Sequence, residues 1–179
     1  MAKSSIVSRS VMDNVYLWYF VSHIPITLLI DVQPLLPAGM IPQALHGVNR
    51  LLTETLGDPL MIVGEGHSEL VWFRSMLVCE LVLQLPFFFY AVWALWTDNP
   101  RRHLPFLVYG VHVSTTMVPV LGTLFRGEIN RTCGERMLLA SMYLPYLLVP
   151  LSMALISFTE CSRVISAATA TLPLKRKTA

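Results

Sequence analysis

Four long apolar stretches dominate this chain and restrict what it can fold into. Residues 15–36, 70–96, 104–125 and 137–158 are each long enough to cross a bilayer, which takes about 20 predominantly apolar residues in a helix. The third and fourth contain no Asp, Glu, Lys or Arg. The second carries Arg74 near its start, where a long side chain can reach the interface. The first is the most interrupted, by His23, Pro25, Asp31 and Pro34. Lys3 and Arg9 precede it as in a signal peptide, but it outruns the apolar core of such a peptide and no A-x-A-like site follows. It is expected to be a retained span. The fold class that follows is an all-α membrane protein, a bundle of four transmembrane helices.

Composition agrees. Only 13% of the 179 residues are charged and 54% are hydrophobic, whereas soluble domains carry roughly 25% charge. A soluble enzyme, a disordered regulator and a nucleic-acid binder all fit poorly, and the net charge of +2 forms no broad basic patch. Cys79, Cys133 and Cys161 are odd in number and follow no metal-ligand or disulfide spacing, so no metal or disulfide framework is expected from them. The basic residues report topology instead. Lys3 and Arg9, then Arg101 and Arg102 after the second span, then Arg163, Lys175, Arg176 and Lys177 all fall on one side of a four-span chain. By the positive-inside rule that side is cytosolic. The expected organisation is a cytosolic N-terminus over 1–14, a membrane domain over 15–158 and a cytosolic tail over 159–179.

The first lumenal segment has a pattern of its own. Leu45, Val48, Leu52 and Leu56 recur at near-helical spacing after Pro42, and Gly57-Asp58-Pro59 reads as a stop. A short amphipathic helix is expected there, lying on the membrane or capping the bundle. Ser68 is placed to cap the second span.

Two carboxylates stand where lipid should be, Asp31 in the first span and Glu80 in the second. Intramembrane acids usually face a cavity or a polar partner. The second helix runs back from the lumen, so the two acids are expected at similar depth. The expected state is one neutral acid hydrogen-bonded to one carboxylate, a good receiver for a lipophilic ammonium ion. Gln84 shares the helical face of Glu80. His112, Thr115 and Thr116 in the third span, with Tyr143 and Tyr146 in the fourth, are further candidates for the same cavity. His23 is read more weakly, as a packing or interface residue. Proline falls inside every span (Pro25, Pro86, Pro119, Pro145, Pro150), and kinked helices leave gaps in which a hydrophobic ligand fits.

These residues resemble a known family. Ser22-His23-Ile24-Pro25-Ile26-Thr27 with Asp31, Asp58-Pro59-Leu60, and Cys79-Glu80-Leu81-Val82-Leu83-Gln84-Leu85-Pro86-Phe87-Phe88 look like the corresponding segments of the sigma-2 receptor family of EXPERA-domain proteins. So do Tyr109, His112, Thr115, Thr116 and Pro119, and then Tyr143, Pro145-Tyr146-Leu147-Leu148 and Pro150. The likeness runs in order over most of the chain. It implies an EXPERA-like four-helix bundle of the endoplasmic reticulum that forms homodimers, touches membrane lipid and binds sterols or lipophilic amines. Asp31 would bond the ligand's amine and Glu80 would support Asp31. It also implies a part in sterol homeostasis and cholesterol trafficking, with a cholesterol-transport partner, or a protein-targeting partner as in fungal relatives named for efficient mitochondria targeting. No cofactor and no nucleic acid is expected. A sterol double-bond isomerase is the rival reading, since Asp31 and Glu80 supply an acid and a base. Family isomerases, however, use more polar residues and an additional span.

Two signals bear on residence and topology. Lys175 and Lys177, near the end of the sequence, resemble a dilysine retrieval address. Asn130-Arg131-Thr132 is an N-glycosylation sequon in a short loop on the expected lumenal side. Little glycan is expected there, because the acceptor lies close to the membrane. Lengthening the loop with a polar spacer should permit modification, read as a glycosidase-sensitive mobility shift. Cleavage of the lengthened loop by a cytosolic protease would reverse the topology.

Overall fold

A computed structural model describes residues 10–61, 70–125 and 132–171. Ser68, Asn130, Lys175 and Lys177 lie outside the described residues. Helices α1 (Val11–Ile26), α2 (Gln43–Arg50), α3 (Val71–Cys79), α4 (Leu85–Trp96), α5 (His103–Phe125) and α6 (Cys133–Thr171) account for nearly all regular structure, and no strand occurs among the described residues. Wider turns join several of these into longer helical runs. Four runs, Val11–Leu35, Val71–Trp96, Pro100–Phe125 and Cys133–Thr171, are long and apolar enough to cross a membrane. The protein is a four-helix membrane bundle.

Local chemistry sets the ends and bends. Ser10 caps α1 by accepting the backbone N–H of Asp13 at 3.1 Å. The first run then widens into a π turn over Thr27–Asp31, closed by the Val32 N–H on the Thr27 carbonyl at 3.2 Å. In that pattern the carbonyl of Leu29 would look to the N–H of residue 34, which is proline. The side-chain amide of Gln33 donates to it instead, at 2.6 Å. A second π turn, Glu80–Gln84, precedes Pro86 and is closed by the Leu85 N–H on the Glu80 carbonyl. A proline ring collides with the carbonyl four residues back in a regular helix, and the wider turn moves that carbonyl aside. Each turn carries one intramembrane acid: Asp31 ends the first and Glu80 begins the second.

One face of each run is buried. Along the first run Tyr16, Phe20, His23 and Thr27 recur every three or four residues and all point inward. Trp18, Phe89, Val108, Val118 and Leu155 point outward, more than half exposed, as lipid-facing residues should be. The face that carries the start of α1 is tied by Arg102. Its guanidinium donates to Asp98 at 2.5 Å and to both oxygens of Asp13 at 3.3 Å. This joins α1 to the turn between α4 and α5. Trp93 and Trp96 stand exposed beside that turn, at the level where amphipathic rings favour the membrane–water interface.

The amphipathic segment takes the capping position. None of the residues of α2 is buried, but a π turn over Leu51–Thr55 carries the chain on, and Leu52 and Leu56 pack on the core. Gly57, at φ 61°, reverses the chain, and Leu60 and Met61 are buried behind it. At the other end, α6 does not stop with its apolar stretch at residue 158. Its 39 residues span about 58 Å at 1.5 Å per residue, well beyond a hydrocarbon core of about 30 Å. Its last buried residue is Ser157.

Helices α5 and α6 pack along most of their length, and Gly110 sets their closest approach. A Cβ built there would lie 2.5 Å from the carbonyl oxygen of Pro150 and 2.8 Å from the nitrogen of Ala154. Those are backbone atoms, which cannot swing away. Gly110→Ala should therefore destabilise the bundle by about 1–3 kcal/mol as an overpacking change, read from thermal unfolding in detergent. Gly122→Ala on the same helix meets nothing within 4 Å and should unfold like the parent.

Candidate ligand-binding site

The bends in the first two runs open a cavity of about 320 Å3 inside the bundle. Its walls are mostly apolar: Ile26 and Ile30 from the first run, Phe73 and Met76 from α3, Val113 and Met117 from α5. Leu52 and Met61 of the capping segment close the end away from the chain start. Such a cavity, apolar with a few convergent polar groups, is the usual form of a small-molecule site.

The polar groups gather on one wall. Donor atoms of His23, Asp31 and Glu80 all lie within 4.8 Å of one another. Thr27, fully buried one helical turn beyond His23, donates its hydroxyl to Glu80 Oε1 at 2.6 Å. The Nε2 atom of His23 faces the same oxygen at 3.6 Å, too long for a hydrogen bond. The imidazole is wedged among aromatic rings, stacked on Phe88 at 4.6 Å and beside Tyr146 at 4.8 Å. Tyr19 closes its other side at 5.1 Å. Two carboxyl groups this close in an apolar cavity repel each other when both are charged, and a shared proton or a bound cation relieves that repulsion.

A third acid closes the cap. Asp58 is 4% exposed and accepts the hydroxyl of Tyr143 at 2.5 Å and the backbone N–H of Leu60 at 2.9 Å. The bond to Tyr143 pins the capping segment to α6 across the cavity mouth. Sequence reading took Asp58 for a helix stop, which it also is, since it follows Gly57.

Among the candidates from sequence, Asp31, Glu80, Gln84, Tyr143 and Tyr146 line the cavity. The hydroxyl of Tyr143 is already given to Asp58, so its ring is what the cavity meets. His112 stands behind the wall, 3.4 Å from the amide nitrogen of Gln84. Thr115 is corrected: it is exposed on the outer face and returns its hydroxyl to the carbonyl of Val111 at 2.8 Å. One residue on, the 100° helical rotation carries Thr116 to the cavity instead. His23 packs among aromatic rings as read from sequence, and it also joins the polar cluster. It and Thr27 sit on the inward stripe begun by Tyr16 and Phe20, and that spacing was the available signal.

The family model described as EXPERA (expanded EBP superfamily) matches residues 46–157. The chain is 36% identical over 157 residues to the sigma intracellular receptor 2 of Xenopus tropicalis, covering 83% of this chain and 89% of that protein. It is 38% identical over 143 residues to the Homo sapiens protein of the same name, covering 74% of this chain and 78% of that one. It is also 32% identical over 157 residues to the efficient mitochondria targeting-associated protein 19 of Saccharomyces cerevisiae, covering 79% of this chain and 94% of that protein. The matched span takes in most of the capping segment, Glu80 and the three later runs as far as residue 157, and this chain therefore belongs to the EXPERA family.

Proposed function

We propose that this protein is a receptor-like binding protein of the endoplasmic reticulum membrane that holds a sterol or a lipophilic amine in the bundle cavity. The observation that carries the reading is the pairing of an apolar cavity with Asp31 and Glu80 on one wall. A ligand with a hydrophobic body and one cationic or hydrogen-bonding head suits it. Asp31 takes the ammonium group, and Glu80, held by the Thr27 hydroxyl, supports Asp31. The names of the vertebrate relatives favour a receptor. On this reading the protein acts in sterol homeostasis and intracellular cholesterol trafficking, as a homodimer with both termini cytosolic.

An isomerase is the less favoured reading. Moving a double bond through a sterol ring protonates one carbon and deprotonates another, and Asp31 and Glu80 could supply both groups, but the vertebrate relatives carry the name of a receptor. The names of the fungal relatives favour a second role, assisting precursor delivery to mitochondria. Such a role would use the exposed surface, and it is compatible with a ligand in the cavity.

Asp31→Asn tests the reading. It keeps the shape and removes the charge, so cationic amines should weaken by about 2–5 kcal/mol, the cost of leaving the ligand's charge buried and unpaired. Neutral sterols should lose far less, because their affinity rests on apolar burial. Glu80→Gln should cost amines less than Asp31→Asn, since an amide still donates one hydrogen bond. The measurement is equilibrium binding of one charged and one neutral ligand to purified protein, after thermal unfolding confirms that each variant folds. Unchanged amine affinity at Asp31→Asn would return both acids to structural roles.

A further inference from the structure

We infer that His23, Asp31 and Glu80 form a binding site for a divalent transition-metal ion of the zinc class, in direct competition with a cationic ligand. The three donors come from two separate runs and share no sequence motif, so only the packing of the first run on the second brings them together.

Geometry supports the assignment first. Zinc binds imidazole nitrogen and carboxylate oxygen at about 2.0–2.2 Å, which places two ligands of a tetrahedral ion about 3.4 Å apart. His23 Nε2 and Glu80 Oε1 are 3.6 Å apart, close to one edge of that tetrahedron. Asp31 offers an oxygen within 4.8 Å of both. Three protein ligands would leave one position of a tetrahedral ion open.

The second observation is the histidine itself. The side chain of His23 is only 7% exposed, and its Nε2 is aimed at Glu80 without reaching hydrogen-bond distance. A buried ring nitrogen normally has a partner. Its ring is nonetheless held in one orientation by Phe88, Tyr146 and Tyr19. An imidazole held with Nε2 toward two carboxyl groups supplies the nitrogen donor of such a site.

Charge and support complete the argument. A divalent ion balances Asp31 and Glu80 together, whereas a protonated amine balances only one. Thr27 donates to Glu80 at 2.6 Å, the outer-shell hydrogen bond that fixes a ligating carboxylate. One imidazole with two carboxylates suits zinc and its neighbours better than magnesium or calcium, which prefer oxygen alone.

The test uses the full chain, purified in detergent and freed of metal, with Cys79, Cys133 and Cys161 replaced by Ser to remove thiol sites. Titration with cobalt chloride should give one equivalent bound, with the visible absorption of a low-coordinate cobalt site. Zinc chloride should displace it, and so should a lipophilic amine. Thr27→Val should weaken zinc by about 10–100-fold through the outer shell, and His23→Gln and Glu80→Gln should weaken it at least as much. Equal zinc affinity in His23→Gln, Glu80→Gln and the parent, or no cobalt bound by the thiol-free protein, overturns the site. Amine binding in metal-free buffer is measured separately, so loss of the metal site and failure of the amine reading give different results.

Discussion

Lipid cannot hydrogen-bond a backbone, so every N–H and C=O in the hydrocarbon region must be satisfied by the protein itself. The other features of this fold follow from how four apolar runs meet that demand while containing prolines. Pro34 and Pro86 each follow a π turn, and at the first of these the Gln33 side chain supplies the donor that proline lacks. The turns keep the runs continuous, but they change pitch and direction. Gaps open where straight helices would have closed, and the cavity lies in those gaps.

The polar cluster depends on the same turns. Asp31 and Glu80 sit within them, so both acids face inward at the level where the bundle is loosest. Their surroundings are graded. The Thr27 hydroxyl and the His23 ring meet Glu80 on one side, and methionine, valine and phenylalanine cover the rest. The cavity is therefore mostly apolar, with its clustered polar groups on one wall and Asp58 at the cap. Asp58 and Tyr143 hold the cap over it, and Arg102 ties the opposite face together. Two polar clasps stand at the ends, and the cavity lies between them.

Much of this was legible in the chain. Apolar length is enough to call four spans, because a bilayer imposes its thickness on any sequence that crosses it. The intramembrane acids were legible for the same reason: a carboxylate is too costly in lipid to lack a partner. The capping segment was legible from the spacing of Leu45, Val48, Leu52 and Leu56. Identity of the partners was less so. Thr115 and Thr116 are adjacent and chemically alike, and only the rotation of α5 decides that Thr116 faces the cavity. His23 read as packing because its partner lies on another helix.

The sequence by itself determined the number of spans, the buried acids and the segment that closes one end. It did so through local quantities: hydropathy over about 20 residues, spacing along one helix, and the lost N–H of each proline. Tertiary structure alone decided which polar groups meet. Thr27 reaches Glu80 across 53 positions and Tyr143 reaches Asp58 across 85. Long-range pairings of this kind depend on the tilt and rotation of whole helices, which are set by packing. The approach of α6 at Gly110 is one such contact, and no window of sequence carries it.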